Sequence, residues 1–233
     1  MNQAELRVVT IDGPAGAGKS SVARSLAARL GWRLLDTGAM YRAVTFAALR
    51  DHADLTCDDE LGSLAERVSV RLANGSVYLD DEDVTGRIRS VEVTRASRYL
   101  ADNPRVRARL VRWQRDFADD HEVVAEGRDQ GTVVFPQAFC KFFLTASLEA
   151  RGMRRFAEFQ ARGEAIDFET VLGDLERRDR HDEARAIAPM RPADDAIVVD
   201  STGLSLDEVV DRIEGVVRRR LESIKRPQTA VGR

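Results

Sequence analysis

The sequence is poor in the residues that build disulfide frameworks and zinc sites. Its 233 residues include two cysteines, Cys57 and Cys140, and three histidines. The cysteines lie far apart in sequence, which favours neither a disulfide framework nor a zinc site. The histidines, His52, His121 and His181, also lack the short spacings of metal-ligand pairs. A reducing cytoplasm is therefore the expected compartment.

Long apolar runs and a strong net charge are also absent. No stretch approaches the roughly 20 apolar residues that span a bilayer. Residues 1–5 are polar and lead directly into a predicted core strand, which is not the pattern of a signal peptide. The net charge is −3, with 43% hydrophobic and 32% charged residues. This balance argues against a membrane protein and against a nucleic-acid binder held by bulk charge, and it predicts a globular chain with one substantial core.

One glycine-rich segment carries most of the functional information. Residues 13–20 fit the phosphate-loop pattern G-x-x-x-x-G-K-[ST], with a predicted strand before it and a helical apolar pattern after it. Such a loop turns backbone N–H groups toward phosphate oxygens, and the helix N-terminus adds partial positive charge. Lys19 is expected to reach the β- and γ-phosphates, and Ser20 to ligate Mg²⁺. The predicted nucleoside-triphosphate site comprises Gly13, Pro14, Ala15, Gly16, Ala17, Gly18, Lys19, Ser20 and Ser21.

Strand-like and helix-like runs alternate along most of the chain. This alternation predicts an α/β fold in which helices flank a five-stranded parallel sheet. The last helix begins at Ser205 and Glu208, which have capping-box spacing. The five strands are predicted at 6–12, 32–35, 122–125, 141–145 and 196–199, and a helix is predicted from Ala39.

One segment breaks this alternation. Two stretches of alternating apolar residues, at 68–72 and 77–79, flank Asn74-Gly75. Asn-Gly between such runs is a strong signal for a two-residue β-hairpin, and an antiparallel hairpin has no natural place in a parallel series. We therefore expect an inserted small antiparallel β subdomain at 60–100, and a return to the core through a helix that starts at Pro104.

Polar residues follow several predicted strands. Ligands of open α/β sheets collect at the carboxyl ends of the strands, so these residues are candidates for a binding site. Each has a simpler alternative: Asp36 could cap its helix, Arg128 and Asp129 could form a local turn pair, and Asp200 could cap a turn. The set comprises Asp36, Tyr41 and Arg42 after the second strand, Arg128 and Asp129 after the third, and Asp200 after the fifth.

Arginine is dense in three places. Five arginines between 105 and 115 share one helix, of which one or two at most are expected to matter. Arg151, Arg154 and Arg155 are spaced to share one helical face. A third group lies at 177–185, interleaved with Asp179 and Asp182. Arginines near a transferring phosphoryl group stabilise its charge, whereas the alternative for each of them is a solvated surface position.

Taken together, these segments resemble the bacterial cytidylate kinase family. The resemblance is carried by residues 11–20, 35–42 and 126–136, and by Arg178-Asp179, Asp182, Arg185 and Ala188-Pro189. It runs in order from residue 7 to about residue 222. The phosphate loop alone is generic, but Asp-Thr-Gly-Ala-x-Tyr-Arg and Gly-Arg-Asp-x-Gly-Thr-Val-Val-Phe-Pro are specific to this family.

The resemblance implies a P-loop kinase fold and the transfer of the γ-phosphate of ATP to CMP or dCMP, with Mg²⁺. It implies a single kinase domain over 1–233, with the insert at 60–100 in the nucleoside-monophosphate-binding region and a lid at 151–165. Lys19, Arg151, Arg154 and Arg155 would be catalytic. A cytoplasmic monomer is expected, with no nucleic-acid or membrane partner.

The resemblance also assigns the acceptor contacts. The phosphate of CMP would be held by Arg42, Arg128 and Arg185, and the ribose hydroxyls by Arg178 and Asp182. The cytosine edge would be recognised by Ser97, Arg107 and Asp129. The substrate-binding set further includes Asp36, Thr37 and Tyr41.

Other functions remain open on the residues alone. Another small P-loop kinase, acting on a different monophosphate or on a metabolite such as shikimate, would share the loop but not the insert. A P-loop switch would usually carry an hhhhD-x-x-G segment, whose nearest match here, at 197–203, occurs late in the chain. The arginine-rich helix leaves nucleic-acid binding as a further alternative, which the negative net charge weakens.

Overall fold

The computed structural model describes residues 7–73, 75–119 and 121–225. These residues form an α/β fold with eight strands and eight α-helices in the described part of the chain. The strands are β1 (Val8–Asp12), β2 (Arg33–Asp36), β3 (Val70–Ala73), β4 (Ser76–Leu79), β5 (Glu82–Asp83), β6 (Val123–Glu126), β7 (Cys140–Thr145) and β8 (Ile197–Asp200). The helices are α1 (Lys19–Leu30), α2 (Thr37–Arg50), α3 (Asp58–Arg67), α4 (Val91–Asp102), α5 (Pro104–Asp119), α6 (Leu148–Ala161), α7 (Phe168–Ala184) and α8 (Leu206–Lys225).

The central sheet has the order β2-β6-β1-β7-β8, and all of its strand pairs are parallel. The predicted five-stranded parallel sheet is thus confirmed. Its register aligns the strand ends, because Glu126 pairs with Ile11 on one side and with Asp36 on the other. The loops after β1, β2 and β6 therefore leave the sheet side by side, where a ligand can touch all three.

The central strands β1 and β6 are buried on both faces, as their nearly continuous apolar sequences require. Val8 packs into a core cluster with the α2 residue Val44, whereas Val9 packs into a second cluster with the α1 residue Leu26 and the α8 residue Ile213. Neighbouring residues of one strand point to opposite faces, so each face has its own helices.

The inserted segment forms a second, three-stranded antiparallel sheet in the order β3-β4-β5. Ala73 pairs with Ser76, so two residues separate the strands as predicted, and Gly75 has a φ of 81°. Asn74 lies outside the described residues. The third strand, β5, was not predicted because it has only two residues, both exposed and acidic. Leu79 of β4 packs into the same core cluster as α2, so the insert shares the core of the parallel-sheet domain.

Several boundaries differ from the predicted ones by one or two residues. β2, β6 and β8 each lie one residue later, and α2 begins at Thr37 rather than Ala39. The early start of α2 follows from Asp36, whose carboxylate accepts a hydrogen bond from the Ala39 N–H at 2.8 Å and caps the helix. Leu6, where the first strand was predicted to begin, lies outside the described residues. Within the described chain, no helix combines the length and apolar character needed to cross a membrane.

Candidate active site

The phosphate loop lies between β1 and α1, as the sequence pattern predicts. Gly13 has a φ of +140°, and a Cβ at this position would lie 2.0 Å from the carbonyl oxygen of Leu144. Gly16 has a φ of +77° and lies against the first turn of α6, at Arg151. Only glycine can adopt these positive φ angles and fit against these neighbouring atoms without strain. Because α1 begins at Lys19, the loop leads directly into a helix N-terminus, which is the arrangement that binds phosphate.

Lys19 lies at the bottom of the loop and is buried. Its Nζ donates a hydrogen bond to the carbonyl oxygen of Pro14 at 2.8 Å. Burial, followed by the positive charges of Arg128 and Arg178, lowers the pKa of Lys19 to about 7. An anion bound among these three cations would reverse part of that shift.

Two buried carboxylates lie next to the loop. Ser20 donates its Oγ–H to Glu126 at 2.7 Å, and burial raises the pKa of Glu126. Burial also raises the pKa of Asp12 to about 7, although its carboxylate accepts hydrogen bonds from the backbone N–H groups of Gln130, at 2.9 Å, and Gly131, at 2.8 Å. Sequence reasoning gave Asp12 no role, although an acidic residue at the end of an otherwise apolar strand was a usable signal.

A cationic cluster lies near Lys19. Arg128 donates to Asp182 at 2.8 Å, and Arg185 forms an ion pair with the other oxygen of the same carboxylate. Arg178 has no side-chain hydrogen bond or ion pair within the described residues, and burial lowers its pKa to about 10, followed by the charges of Arg128 and Arg42. Cations therefore outnumber the carboxylates that neutralise them here.

Arg42 belongs to the same cluster and comes from α2. Among the residues that the structure describes, its closest carboxylate is Asp36, at 3.7 Å, and its buried Nε has no hydrogen-bond partner. An unpaired buried N–H of this kind is costly unless a ligand accepts from it. Thr37 is engaged structurally, because its hydroxyl donates to the backbone oxygen of Glu126 at 2.7 Å.

A buried ion pair between Arg107 and Asp129 lies beside this cluster. Both side chains are less than a tenth exposed, and Arg107 also donates to the backbone oxygen of Ala101 at 3.4 Å. Tyr41 is close enough to both charges to interact with them, and burial raises the pKa of its phenol. Ser97 lies on α4, where its hydroxyl donates to the Thr94 carbonyl at 2.8 Å. The structure thus brings Tyr41, Arg107 and Asp129 together, whereas the hydroxyl of Ser97 is engaged within its own helix.

The three predicted lid arginines lie on α6, but they have different surroundings. Arg151 is buried and contacts the phosphate loop. Arg154 donates to the carbonyl oxygen of the loop residue Ala17 at 3.3 Å and to Ser201 Oγ at 3.0 Å. Arg155 forms an ion pair with Glu158 of the same helix at 2.7 Å and is more exposed than Arg151. Arg151 and Arg154 thus contact the phosphate loop, whereas Arg155 is near enough to Arg178 for its charge to help lower the pKa of that residue.

The remaining charged candidates behave as the simpler alternatives predict. Of the five arginines of α5, Arg107 alone is buried, and the others lie at least partly exposed against surface groups. Asp200 caps a turn by accepting from the backbone N–H and hydroxyl of Thr202. Asp36 does cap α2, although it also lies close to Arg42.

The phosphate loop at the end of β1, together with a cationic cluster close to its lysine, defines a P-loop kinase. The cytidylate kinase family model matches residues 9–219. A curated cytidylate kinase of Citrobacter koseri is 46% identical over 218 residues, covering 92% of this chain and 96% of the relative, and one of Salmonella paratyphi B is 45% identical over the same shares. A gluconokinase structure from Sinorhizobium meliloti matches with a TM-score of 0.48 at 15% identity, over 95% of this chain and 97% of that one. The family model and the two relatives show that this chain belongs to the cytidylate kinase family.

Proposed function

We propose that this protein transfers the γ-phosphate of ATP to CMP or dCMP, giving ADP and CDP or dCDP. The observation that carries the proposal is the cluster of Arg42, Arg128, Arg178 and Arg185 near the phosphate-loop lysine. A donor phosphate site and an acceptor phosphate site must adjoin in a nucleotide kinase, because the reaction joins the two phosphates. Family membership supports ATP as the donor and nucleotides as the acceptors.

The acceptor phosphate is assigned to Arg42, Arg128 and Arg185. The free Nε of Arg42 and the excess of positive charge both call for an anion. Guanidinium groups suit this task because they bind phosphate through two parallel hydrogen bonds and so fix its direction. Arg178 and Asp182 lie on the same helix and are assigned to the ribose hydroxyls.

The cytosine edge is assigned to Arg107 and Asp129, with Ser97 as a further contact. A carboxylate accepts from the exocyclic N4 amine of cytosine, and an arginine donates to N3 or O2. Uracil would present O4 and N3–H to the same groups, and mispaired buried polar groups reject a ligand strongly. Tyr41, Asp36 and Thr37 complete the proposed acceptor pocket as its packing and capping residues.

The donor site is assigned to the phosphate loop, with Lys19 on the β- and γ-phosphates. Ser20 and Glu126 supply a hydroxyl and a carboxylate, which are the hard oxygen ligands that Mg²⁺ prefers, so these residues fit the ion. When bound, Mg²⁺ would neutralise charge on the phosphate oxygens. The loop residues assigned to ATP are Gly13, Pro14, Ala15, Gly16, Ala17, Gly18, Lys19, Ser20 and Ser21.

The chemistry needs alignment and charge neutralisation rather than a general base. A phosphate oxygen of CMP is already anionic and attacks the γ-phosphorus, and the bond to the β–γ bridging oxygen breaks as ADP leaves. Lys19 spreads positive charge over the transferring group. Arg154 and Arg155 are assigned to the lid at 151–165, whose closure would exclude water as a competing acceptor.

A substrate panel tests the proposal. ADP release from Mg-ATP is measured in a coupled assay with CMP, dCMP, UMP, AMP, GMP and shikimate as acceptors. Fast turnover confined to the cytidine nucleotides is the expected result. Preference for another acceptor would assign the site to a different small-molecule kinase, and slow hydrolysis independent of any acceptor would overturn the kinase proposal. Lys19→Ala serves as the inactive control.

A further inference from the structure

The backbone of one phosphate-loop residue, Ala15, is held on both sides by a buried ion pair. Its N–H donates to a carboxylate oxygen of Asp179 at 3.1 Å, and its carbonyl oxygen accepts from Arg151 Nη1 at 3.0 Å. Arg151 and Asp179 also pair directly with each other, and their side chains are only 9% and 11% exposed. We call these three residues the Ala15 clamp. It joins the phosphate loop to α6 and α7 at a single residue, through the two peptide groups that flank the Ala15 Cα.

Two of the three nitrogens of the Arg151 guanidinium donate to protein atoms. Its Nε donates to the carbonyl oxygen of Ala146 at 3.1 Å, while Nη1 serves Ala15 and Asp179. The backbone of Arg151 also lies close to the loop, because a Cβ on Gly16 would lie 3.1 Å from the Arg151 carbonyl oxygen. A side chain held at so many points would have to break buried charge-assisted bonds to reach a phosphoryl group.

Both carboxylate oxygens of Asp179 also have protein partners. One carboxylate oxygen accepts from Ala15 and the other faces Arg151, so neither is directed at a substrate. It lies on α7 between Arg178 and Asp182, which belong to the cationic cluster. The carboxylate is therefore an anchor on the acceptor-side helix for the backbone of the donor loop.

We propose that Asp179 is a positioning residue that acts through Arg151 and Ala15 to set the conformation of the phosphate loop for ATP. In this assignment, which rests on the proposed function, Arg151 holds the loop through its Nε and Nη1. The clamp bears on donor binding and leaves acceptor binding unaffected. Its two side chains act as one unit, so the loss of either has the consequence of losing both.

Isothermal titration calorimetry with a non-hydrolysable ATP analogue in Mg²⁺, and separately with CMP, tests the clamp. Asp179→Asn and Arg151→Gln should each raise the Kd for the ATP analogue by about tenfold and leave that for CMP within about twofold. The double variant should bind the analogue no worse than either single variant, because coupled residues are not additive. Asp174→Asn is the matched control, since Asp174 pairs with Arg177 on the exposed side of the same helix.

Three outcomes would overturn the clamp: an unchanged Kd for the ATP analogue, equal weakening of analogue and CMP, or multiplicative effects in the double variant. If Asp179→Asn fails to fold, Arg151→Lys decides, because lysine keeps the charge beside Asp179 but cannot serve Ala146, Ala15 and Asp179 together. Arg151→Lys should still raise the Kd for the ATP analogue and leave the Kd for CMP nearly unchanged. A wild-type protein that binds the analogue but not CMP would contradict the proposed function, while the analogue titrations would still test the clamp.

Discussion

The acidic side chain of Asp129 is buried, and the desolvation of its charge costs free energy. It is 6% exposed and pairs with Arg107, which is 5% exposed. A buried ion pair contributes little net stability, because the cost of desolvating both charges offsets much of their attraction. Its presence beside the cationic cluster is therefore better explained by recognition than by folding.

Replacing Asp129 by Asn tests this recognition. The carboxylate can only accept, whereas an amide can also donate to O4 of uracil. We expect the ratio of kcat/KM for CMP to that for UMP to fall by at least about tenfold, or roughly 1.4 kcal/mol. Steady-state kinetics with both nucleotides measure it. Asp116→Asn, on the exposed side of α5, is the control, and an unchanged ratio at Asp129 would remove this residue from base recognition.

Asp12 gives a prediction about pH. Burial raises its pKa to about 7 from the usual 3.8, so between these values the folded protein holds a proton that the unfolded chain releases. Its contribution to stability is therefore full below about pH 4 and is lost as the pH rises through about 7. In urea unfolding from pH 4.5 to 7.5, the free energy of unfolding of the wild type should fall relative to Asp12→Asn as the pH increases.

Asp200→Asn is the control for this series. Hydrogen bonds from the hydroxyl and backbone of Thr202 lower the pKa of Asp200, so its contribution is present above the usual carboxyl pKa and lost only in acid. The difference between Asp200→Asn and wild type should stay flat above about pH 5. A flat difference for Asp12→Asn over the same range would show that its carboxyl titrates normally.

At the scale of elements, the main question is whether the insert unfolds independently of the parallel-sheet core. Leu79 is fully buried and belongs to the same core cluster as Met40 and Val44 of α2. An element that contributes to a shared core cannot unfold without exposing its neighbours, so the insert and the kinase core should unfold together.

The substitution Leu79→Ala tests this cooperativity. It should lower the free energy of unfolding by about 2–5 kcal/mol, through lost burial and the cavity left behind. Scanning calorimetry should still record a single transition at a lower temperature. Leu206→Ala is the matched control, because Leu206 is 44% exposed. A separate early transition in Leu79→Ala would show that the insert is an autonomous unit.

The elements that were predicted correctly from the sequence are those with a strong local residue pattern. Continuous apolar runs gave the strands of the parallel sheet, and Asn-Gly gave the hairpin, because backbone preference and burial agree there. β5 and the π-helical turn Gln130–Val134 were missed. Neither has an apolar period, and the turn depends on the carboxylate of Asp12, which lies more than a hundred residues away in sequence.

At the scale of the whole molecule, the position of the phosphate loop was predictable from sequence, and its contacts with distant helices were not. Residues 13–20 lie together in the chain, so their spacing alone identified the phosphate loop. The Ala15 clamp joins residues 15, 151 and 179, and no local pattern signals a contact of that range. For the same reason the three lid arginines looked alike in sequence, although tertiary contacts separate Arg151 from Arg155. The cytoplasmic monomer stays a prediction.

The strand order has a consequence for how the chain is made. β1 pairs with β6 and β7. The first of its partner residues in the sequence is Val123, which follows Val8 by about 115 residues. At synthesis rates of roughly 5–20 residues per second, the ribosome takes on the order of ten seconds to supply that partner. Until then the apolar strand Val8–Asp12 has no partner strand in the sheet. Its unpaired backbone N–H and C=O groups can then pair with an exposed strand of another chain. The nascent chain should therefore depend on chaperones most while its first half is exposed, and the phosphate loop is among the last features to acquire its shape.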